Sequence, residues 1–194
     1  MAGMNAALLP TTIGKYEVIR ELGRGASSTV YLAEDPFRGR KVAVKRIHTH
    51  LLNDERQATR YRRVMRNEAL LAGRLRHPHI VGVYDADGEA SPPYIVLEYI
   101  EGAPLSRFTK SDRLLPPAQV LDICYKVCSA MEHAHEHGLV HRDIKPANLM
   151  LQTNGDVKLT DFGMALATEG DVTQIGGIVG TPQYMSPEQV REEP

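Results

Sequence analysis

His141-Arg142-Asp143-Ile144-Lys145-Pro146-Ala147-Asn148 places an imidazole, a guanidinium, a carboxylate, an ammonium and an amide within eight residues, and the apolar Leu149-Met150-Leu151 follows at once. Pro146 lacks an N–H and biases Lys145 towards extended backbone, so the stretch reads as a shaped loop entering a strand. Leu149 to Gln152 and Val157 to Thr160 flank Asn154-Gly155, a hairpin signal, and the second strand returns Asp161-Phe162-Gly163 beside Asn148. Two carboxylates, Asp143 and Asp161, and one amide are thereby expected to converge. Oxygen donors without thiols or paired histidines suit Mg²⁺, and a carboxylate beside a lysine suits proton acceptance next to a phosphate. Taken singly, each of these residues fits a capped turn; only the combination points to chemistry.

The 194 residues are 42% hydrophobic and 24% charged, enough for a sizeable core or two small lobes. A net charge of −1 offers no global attraction to nucleic acid or an anionic membrane, so neither is expected as a partner. Cys124 and Cys128, the only cysteines, stand one helical turn apart among apolar residues. That spacing points to reduced core thiols in a reducing cytoplasm, not to a disulfide or zinc site. Met1 to Pro10 lacks the basic start and apolar length of a signal peptide, and no stretch approaches membrane-spanning length.

Upstream of the loop, Tyr16 to Leu22 alternates polar and apolar residues. Gly23-Arg24-Gly25-Ala26-Ser27-Ser28 intervenes before the β-branched run Thr29-Val30-Tyr31-Leu32-Ala33. The order is strand, glycine loop, strand, whereas a dinucleotide-binding turn would open a helix. Glycines let backbone amides approach phosphates closely, and a plain surface hairpin fits the same pattern. Lys41 to Ile47 also alternates, with Val42, Val44 and Arg46 on one face and Ala43, Lys45 and Ile47 on the other. A lysine on an apolar face takes an anionic partner or snorkels to solvent from an edge strand. Asp54 to Leu75 reads as a long helix with an apolar stripe of Tyr61, Val64, Met65, Leu71, Ala72 and Leu75; Glu68 falls within it and is expected to pair with Lys45. Arg56, Arg60, Arg62, Arg63 and Arg66 on this helix suit an acidic partner, a phosphorylated loop or a solvated face.

Ile80 to Tyr84 and Pro93 to Tyr99 read as the next two strands. Pro117 to His137 reads as a buried scaffold helix, its stripe formed by Val120, Ile123, Cys124, Val127, Cys128, Met131 and Ala134, with Gly138 as its stop. His133, His135 and His137 stand at steps of two, so they cannot all ligate one metal ion and fit satisfied helix-end histidines better.

HRDIKPAN followed by DFG resembles the catalytic core of eukaryotic-like (Hanks-type) Ser/Thr protein kinases, and HRDIKPANLM is most similar to their bacterial branch. The resemblance implies an α+β, protein-kinase-like bilobal fold: an N-terminal extension over 1–14, a five-stranded antiparallel N-lobe with one long helix over 15–101, and an incomplete, mostly helical C-lobe over 102–194. It implies signalling by transfer of the ATP γ-phosphoryl group to protein Ser/Thr hydroxyls, with Mg²⁺ or Mn²⁺. In that pattern Asp143 orients the hydroxyl and accepts its proton, and Lys145 neutralises the γ-phosphate. Asn148 and Asp161 hold the metal, while Lys45, fixed by Glu68, holds the α- and β-phosphates. Leu22, Gly23, Gly25, Val30, Ala43 and Met150 are expected around the nucleotide, Leu97 at the back of the adenine pocket, and Glu98 and Ile100 in the hinge. For Val30, Ala43 and Met150 plain core is the other reading.

The glycine loop departs from the family pattern at its third glycine, Ser28 here. Gly180 to Glu188 resembles the segment that closes the activation loop, with Ser186-Pro187-Glu188 standing for APE, and Thr181 is expected to touch the catalytic loop. Of Thr168 and Thr173, in the stretch Met164 to Val179, Thr173 is the first choice as a regulatory phosphosite, because Arg142 could pair with an added phosphate. His141 is read as structural. Family members continue past SPE into further helices, so a C-terminally truncated domain is expected. It is either active, with homodimerisation or trans-autophosphorylation, or a nucleotide-binding or interaction module without turnover. A small-molecule kinase of the aminoglycoside phosphotransferase kind shares the Asp and Asn, but Arg142, Lys145 and Thr181 to Glu188 favour protein substrates. The kinase part is expected in the cytoplasm, with any membrane anchor of a parent protein lying outside this segment.

Overall fold

Alternating apolar and polar residues over 12–47 and 83–98 build one sheet, and the hairpin after the HRD loop builds another. The computed structural model describes residues 9–162, 166–167 and 181–191. The chain divides into two compact units, Met1–Met65 with Tyr84–Tyr99, and Arg66–Val83 with Ile100–Pro194.

In the first unit, strands β1 (Thr12–Ile13), β2 (Tyr16–Arg24), β3 (Ser28–Asp35), β4 (Arg40–Ile47), β5 (Val83–Asp87) and β6 (Tyr94–Glu98) form a sheet in the order β1-β2-β3-β4-β6-β5. Five strands match the expectation. The sixth, β1, pairs Thr12 with Glu17 and Ile13 with Tyr16, and two residues are too few for alternation to announce a strand. One sheet face carries an apolar cluster of Ile13, Tyr16, Tyr31, Ala33, Val42, Val44, Tyr94 and Val96. By alternation Val30, Ala43 and Lys45 lie on the other face, and the pairing of Val30 with Lys45 puts those two side by side. The carboxylate of Asp85 on β5 accepts from the Tyr16 hydroxyl at 2.7 Å and meets the Lys15 ammonium at 3.0 Å, stitching the start of the chain to this strand.

Helix α1 (Glu55–Ala72) starts at Asp54, whose carboxylate accepts from the Gln57 N–H at 2.8 Å, an N-cap bond. The strand expected at Ile80 to Tyr84 lies instead at Val83–Asp87. The reason is that the backbone of 79–81 is already engaged: Leu159 N–H donates to His79 and Val81 N–H to Leu159, a parallel bridge centred on Ile80.

In the second unit, β9 (Leu149–Gln152) and β10 (Val157–Leu159) form the expected hairpin, with β7 (Gly102–Pro104) added on the far side of β9. Gly155 closes the turn with φ 89°, a conformation glycine adopts without penalty. At β7, a Cβ on Gly102 would run into the Leu151 carbonyl oxygen. Gly102→Ala is therefore expected to destabilise the chain by about 1–3 kcal/mol, the range for overpacking, as read by chemical denaturation; an unchanged midpoint would contradict the close approach. Strand β8 (Leu139–Val140) pairs with β11 (Leu166–Ala167).

Helix α2 (Pro117–Glu136) begins with proline at N1 and contributes Ile123, Ala130 and Ala134 to a core shared with Leu139, Leu149, Leu151, Val157, Leu159 and Phe162. Its stripe is narrower than expected. Cys124 and Cys128 are exposed, which corrects their reading as core thiols, and Val120 is 43% exposed. The hairpin and β8 cover only the Ile123, Val127, Ala130 and Ala134 side of the helix, so residues flanking that line meet solvent in this chain.

Candidate active site

The HRD loop is held from below by His141, which is fully buried. Its Nδ1 accepts from the Asp143 backbone N–H at 3.3 Å and its Nε2–H donates to the Thr160 carbonyl at 3.1 Å. Both nitrogens are thus used by a neutral ring, and burial pushes the imidazole pKa below its ordinary value. The Phe162 ring packs edge-on against it with centroids 4.7 Å apart. Next to it, Arg142 has φ 66° and Asp161 has φ 63°. Both are left-handed conformations that cost a non-glycine residue about 1–3 kcal/mol and collect at functional sites. Helix α3 (Pro187–Val190) helps hold the first of them: Gln189 donates from Nε2 to the Arg142 carbonyl at 2.8 Å while its Oε1 accepts the Ser186 N–H.

Asp143 is 8% exposed and its carboxylate is surrounded by donors. Lys145 Nζ lies 2.7 Å from Oδ2, Asn148 Nδ2 3.0 Å from the same oxygen, and the Thr181 hydroxyl 3.3 Å from Oδ1. Lys145 Nζ also donates to Thr181 Oγ1 at 2.7 Å, so Thr181 touches the catalytic loop as expected. Donors fixed in this way can orient a carboxylate to accept a hydroxyl proton, and an ammonium beside it can offset the charge of a phosphoryl group.

Asn148 spends its amide nitrogen on Asp143, leaving the amide oxygen as a ligand. Thr160, which precedes Asp161, gives both its N–H (2.9 Å) and its hydroxyl (3.0 Å) to the Asn148 carbonyl, which ties the second oxygen donor to the first. One carboxylate and one amide oxygen fit Mg²⁺, which takes few protein ligands and completes its shell with water and phosphate oxygens. Among the described residues no group of three His, Cys, Asp or Glu side chains is placed to hold a metal.

The remaining expected site residues fall as follows. Lys45, on β4, and Glu98, on β6, are half-buried; Glu68, on α1, is 3% exposed; none of these, nor Asp161, is without a partner. Val30 and Met150 are half-buried, Ala43 and Ile100 are buried, and Leu22 is 36% exposed. Gly23 has nothing within 4 Å of an added Cβ and Gly25 only the Ser28 oxygen at 3.6 Å, so the fold itself does not require glycine at either place. Gly163, Thr168 and Thr173 lie outside the described residues. Gln189 and Thr160 were not anticipated; their bonds run to backbone carbonyls 47 and 12 residues away, which no local pattern encodes.

Elsewhere in the second unit, His77 stacks on His133 with ring centroids 5.2 Å apart and the His133 and His137 ring centroids are 4.3 Å apart; His133 Nε2 is buried without a partner among the described residues. Burial, with the His133, His79 and Lys158 charges adding, lowers the His77 pKa, and burial lowers that of His141. A lowered histidine pKa means that the unfolded chain takes up the proton first. Stability is then complete above about pH 6.5 and is lost as pH falls below it. The thermal midpoint is expected to drop between about pH 7.5 and 5.5, before carboxylates titrate, and His77→Gln is expected to reduce that slope. A flat profile in circular-dichroism melts would refute it.

Two comparisons bear on this arrangement. The family model described as protein kinase domain matches residues 16–194. A probable serine/threonine-protein kinase of Streptomyces coelicolor is 45% identical over 93% of this chain and 27% of its own length. The serine/threonine-protein kinase PrkC of Bacillus subtilis is 40% identical over 92% of this chain and 27% of its own length. The serine/threonine-protein kinase PknB of Mycobacterium leprae is 43% identical over 94% of this chain and 30% of its own length. The chain thus spans less than a third of the length of these relatives.

Proposed function

Because the chain belongs to the protein kinase domain family, we propose that it carries the phosphoryl-transfer site of a serine/threonine protein kinase, moving the γ-phosphoryl group of ATP to a protein hydroxyl. The observation that carries this reading is the closed network of Asp143, Lys145, Asn148 and Thr181. Asp143 orients the substrate hydroxyl and receives its proton as the new O–P bond forms and the bond from the γ-phosphorus to the β,γ-bridging oxygen breaks, releasing ADP. Lys145 sits between Asp143 and Thr181 and faces the charge on the transferred group. Asn148 and Asp161 would hold Mg²⁺ by oxygen, and the bound ion would supply charge neutralisation on the phosphates. Lys45 holds the α- and β-phosphates with Glu68 as its counter-ion, and Val30, Ala43, Met150, Leu22, Glu98 and Ile100 hold the base. An added Cβ at Gly23 would meet nothing within 4 Å and at Gly25 only the Ser28 oxygen at 3.6 Å, so packing leaves the loop backbone room to approach the phosphates.

Intact mass after incubation with Mg-ATP and a basic protein tests the proposal. Phosphate on serine or threonine, abolished by chelation with EDTA, is the expected result. ATP binding without any added phosphate would instead favour a nucleotide-binding module. The relatives named as serine/threonine kinases support the substrate class, and Thr181 beside Asp143 is compatible with it.

A further inference from the structure

The sheet of the first unit ends in a cavity of about 540 Å³ on the face opposite Val30 and Lys45, its lining including Leu9, Arg24, Thr29, Tyr31, Arg46 and His48. Tyr31 and Thr29 are buried and form its floor. Its lining holds two guanidiniums, two imidazoles and one carboxylate. That carboxylate, Glu21, is occupied by Arg24 at 2.8 and 3.2 Å. Arg46 pairs with no carboxylate among the described residues and lies over the Tyr31 ring at 5.6 Å. His48 bonds the Thr29 hydroxyl at 3.0 Å, and the His50 ring lies 5.4 Å from it. Such a lining repels cations and has room for more than an ion. A guanidinium and an imidazole recognise a phosphoryl oxygen, and Leu9 and Pro10 offer apolar surface to what carries it.

We propose that this cavity is a docking site for a phosphorylated serine or threonine side chain of a polypeptide, with the phosphoryl group on Arg46 and His48 and the flanking peptide against Leu9 and Pro10. The choice of a phosphorylated polypeptide over another phosphate ester rests on the kinase reading, since that reaction supplies such side chains. Arg24 and Ala26 belong to the glycine loop, so an occupant would lean on the loop from the side away from Lys45.

Binding needs no turnover, so it is measured separately from catalysis. The full chain is titrated by calorimetry with a synthetic phosphothreonine peptide, its unphosphorylated counterpart and inorganic phosphate, and Arg46→Gln and His48→Gln chains are titrated in parallel after their melting midpoints are checked. The expected result is saturable binding of the phosphopeptide, at least about tenfold weaker for the unphosphorylated peptide and for Arg46→Gln, as loss of one charge-assisted bond implies. Equal binding of the two peptides, no binding of either, or full affinity in a folded Arg46→Gln chain would overturn the site. Inorganic phosphate binding as tightly as the phosphopeptide would overturn the polypeptide as its ligand. A chain that transfers phosphate yet fails these titrations would leave the kinase reading standing alone.

Discussion

Asp143→Asn is expected to lower kcat for ATP-dependent phosphoryl transfer by about 10²–10⁴-fold, the usual worth of a positioned general base. The amide keeps the shape of the carboxylate but cannot receive the hydroxyl proton. Lys145 at 2.7 Å and Asn148 at 3.0 Å meet one oxygen of Asp143, which the amide retains, and an NH₂ in the place of the other oxygen can donate to the Thr181 hydroxyl at 3.3 Å, so the variant is expected to fold. The readout is the rate of phosphate incorporation, with a melting curve to separate chemistry from folding. A folded variant within threefold of the parent rate would remove Asp143 from the proton path.

Phe162→Ala is expected to remove about 3–5 kcal/mol of folding stability, the range for deleting a buried aromatic. Domains of ordinary size hold about 5–15 kcal/mol in total, so this single change would bring the chain close to unfolding. Phe162 is 1% exposed, sits in the core with Leu159 and Ile123, and packs on His141. The same ring that fills the core therefore supports the floor of the HRD loop. Urea denaturation measures the loss, and Phe162→Leu, which retains most of the volume, should lose considerably less. An alanine variant within 1 kcal/mol of the parent would mean that the core closes over the gap and that the loop does not depend on the ring.

The legible parts of this chain were those whose physics is local. Pro146 after Lys145 made a loop, Asn154-Gly155 made a hairpin, and the period of Pro117 to Glu136 made a helix, because proline geometry, positive φ at glycine and side-chain periodicity act over a few residues. The errors were non-local. Ile80 alternates like a strand residue, yet its backbone neighbours bond Leu159, and the next strand begins only at Val83. Cys124 and Cys128 lie on an apolar stripe, but a stripe says which residues could be buried, not how much of it a partner covers.

By itself the sequence determined the identity and spacing of the polar groups at 141–148 and 161, hence the chemistry open to them and the family they resemble. Only the tertiary structure decided that Thr181 reaches Lys145 and Asp143, that Gln189 holds the Arg142 carbonyl, and that His141 works as a neutral double hydrogen-bonder beneath the loop. Each of those contacts depends on where packing brings distant backbone, and on the left-handed turns at Arg142 and Asp161, which residue preferences oppose and only the surrounding bonds sustain.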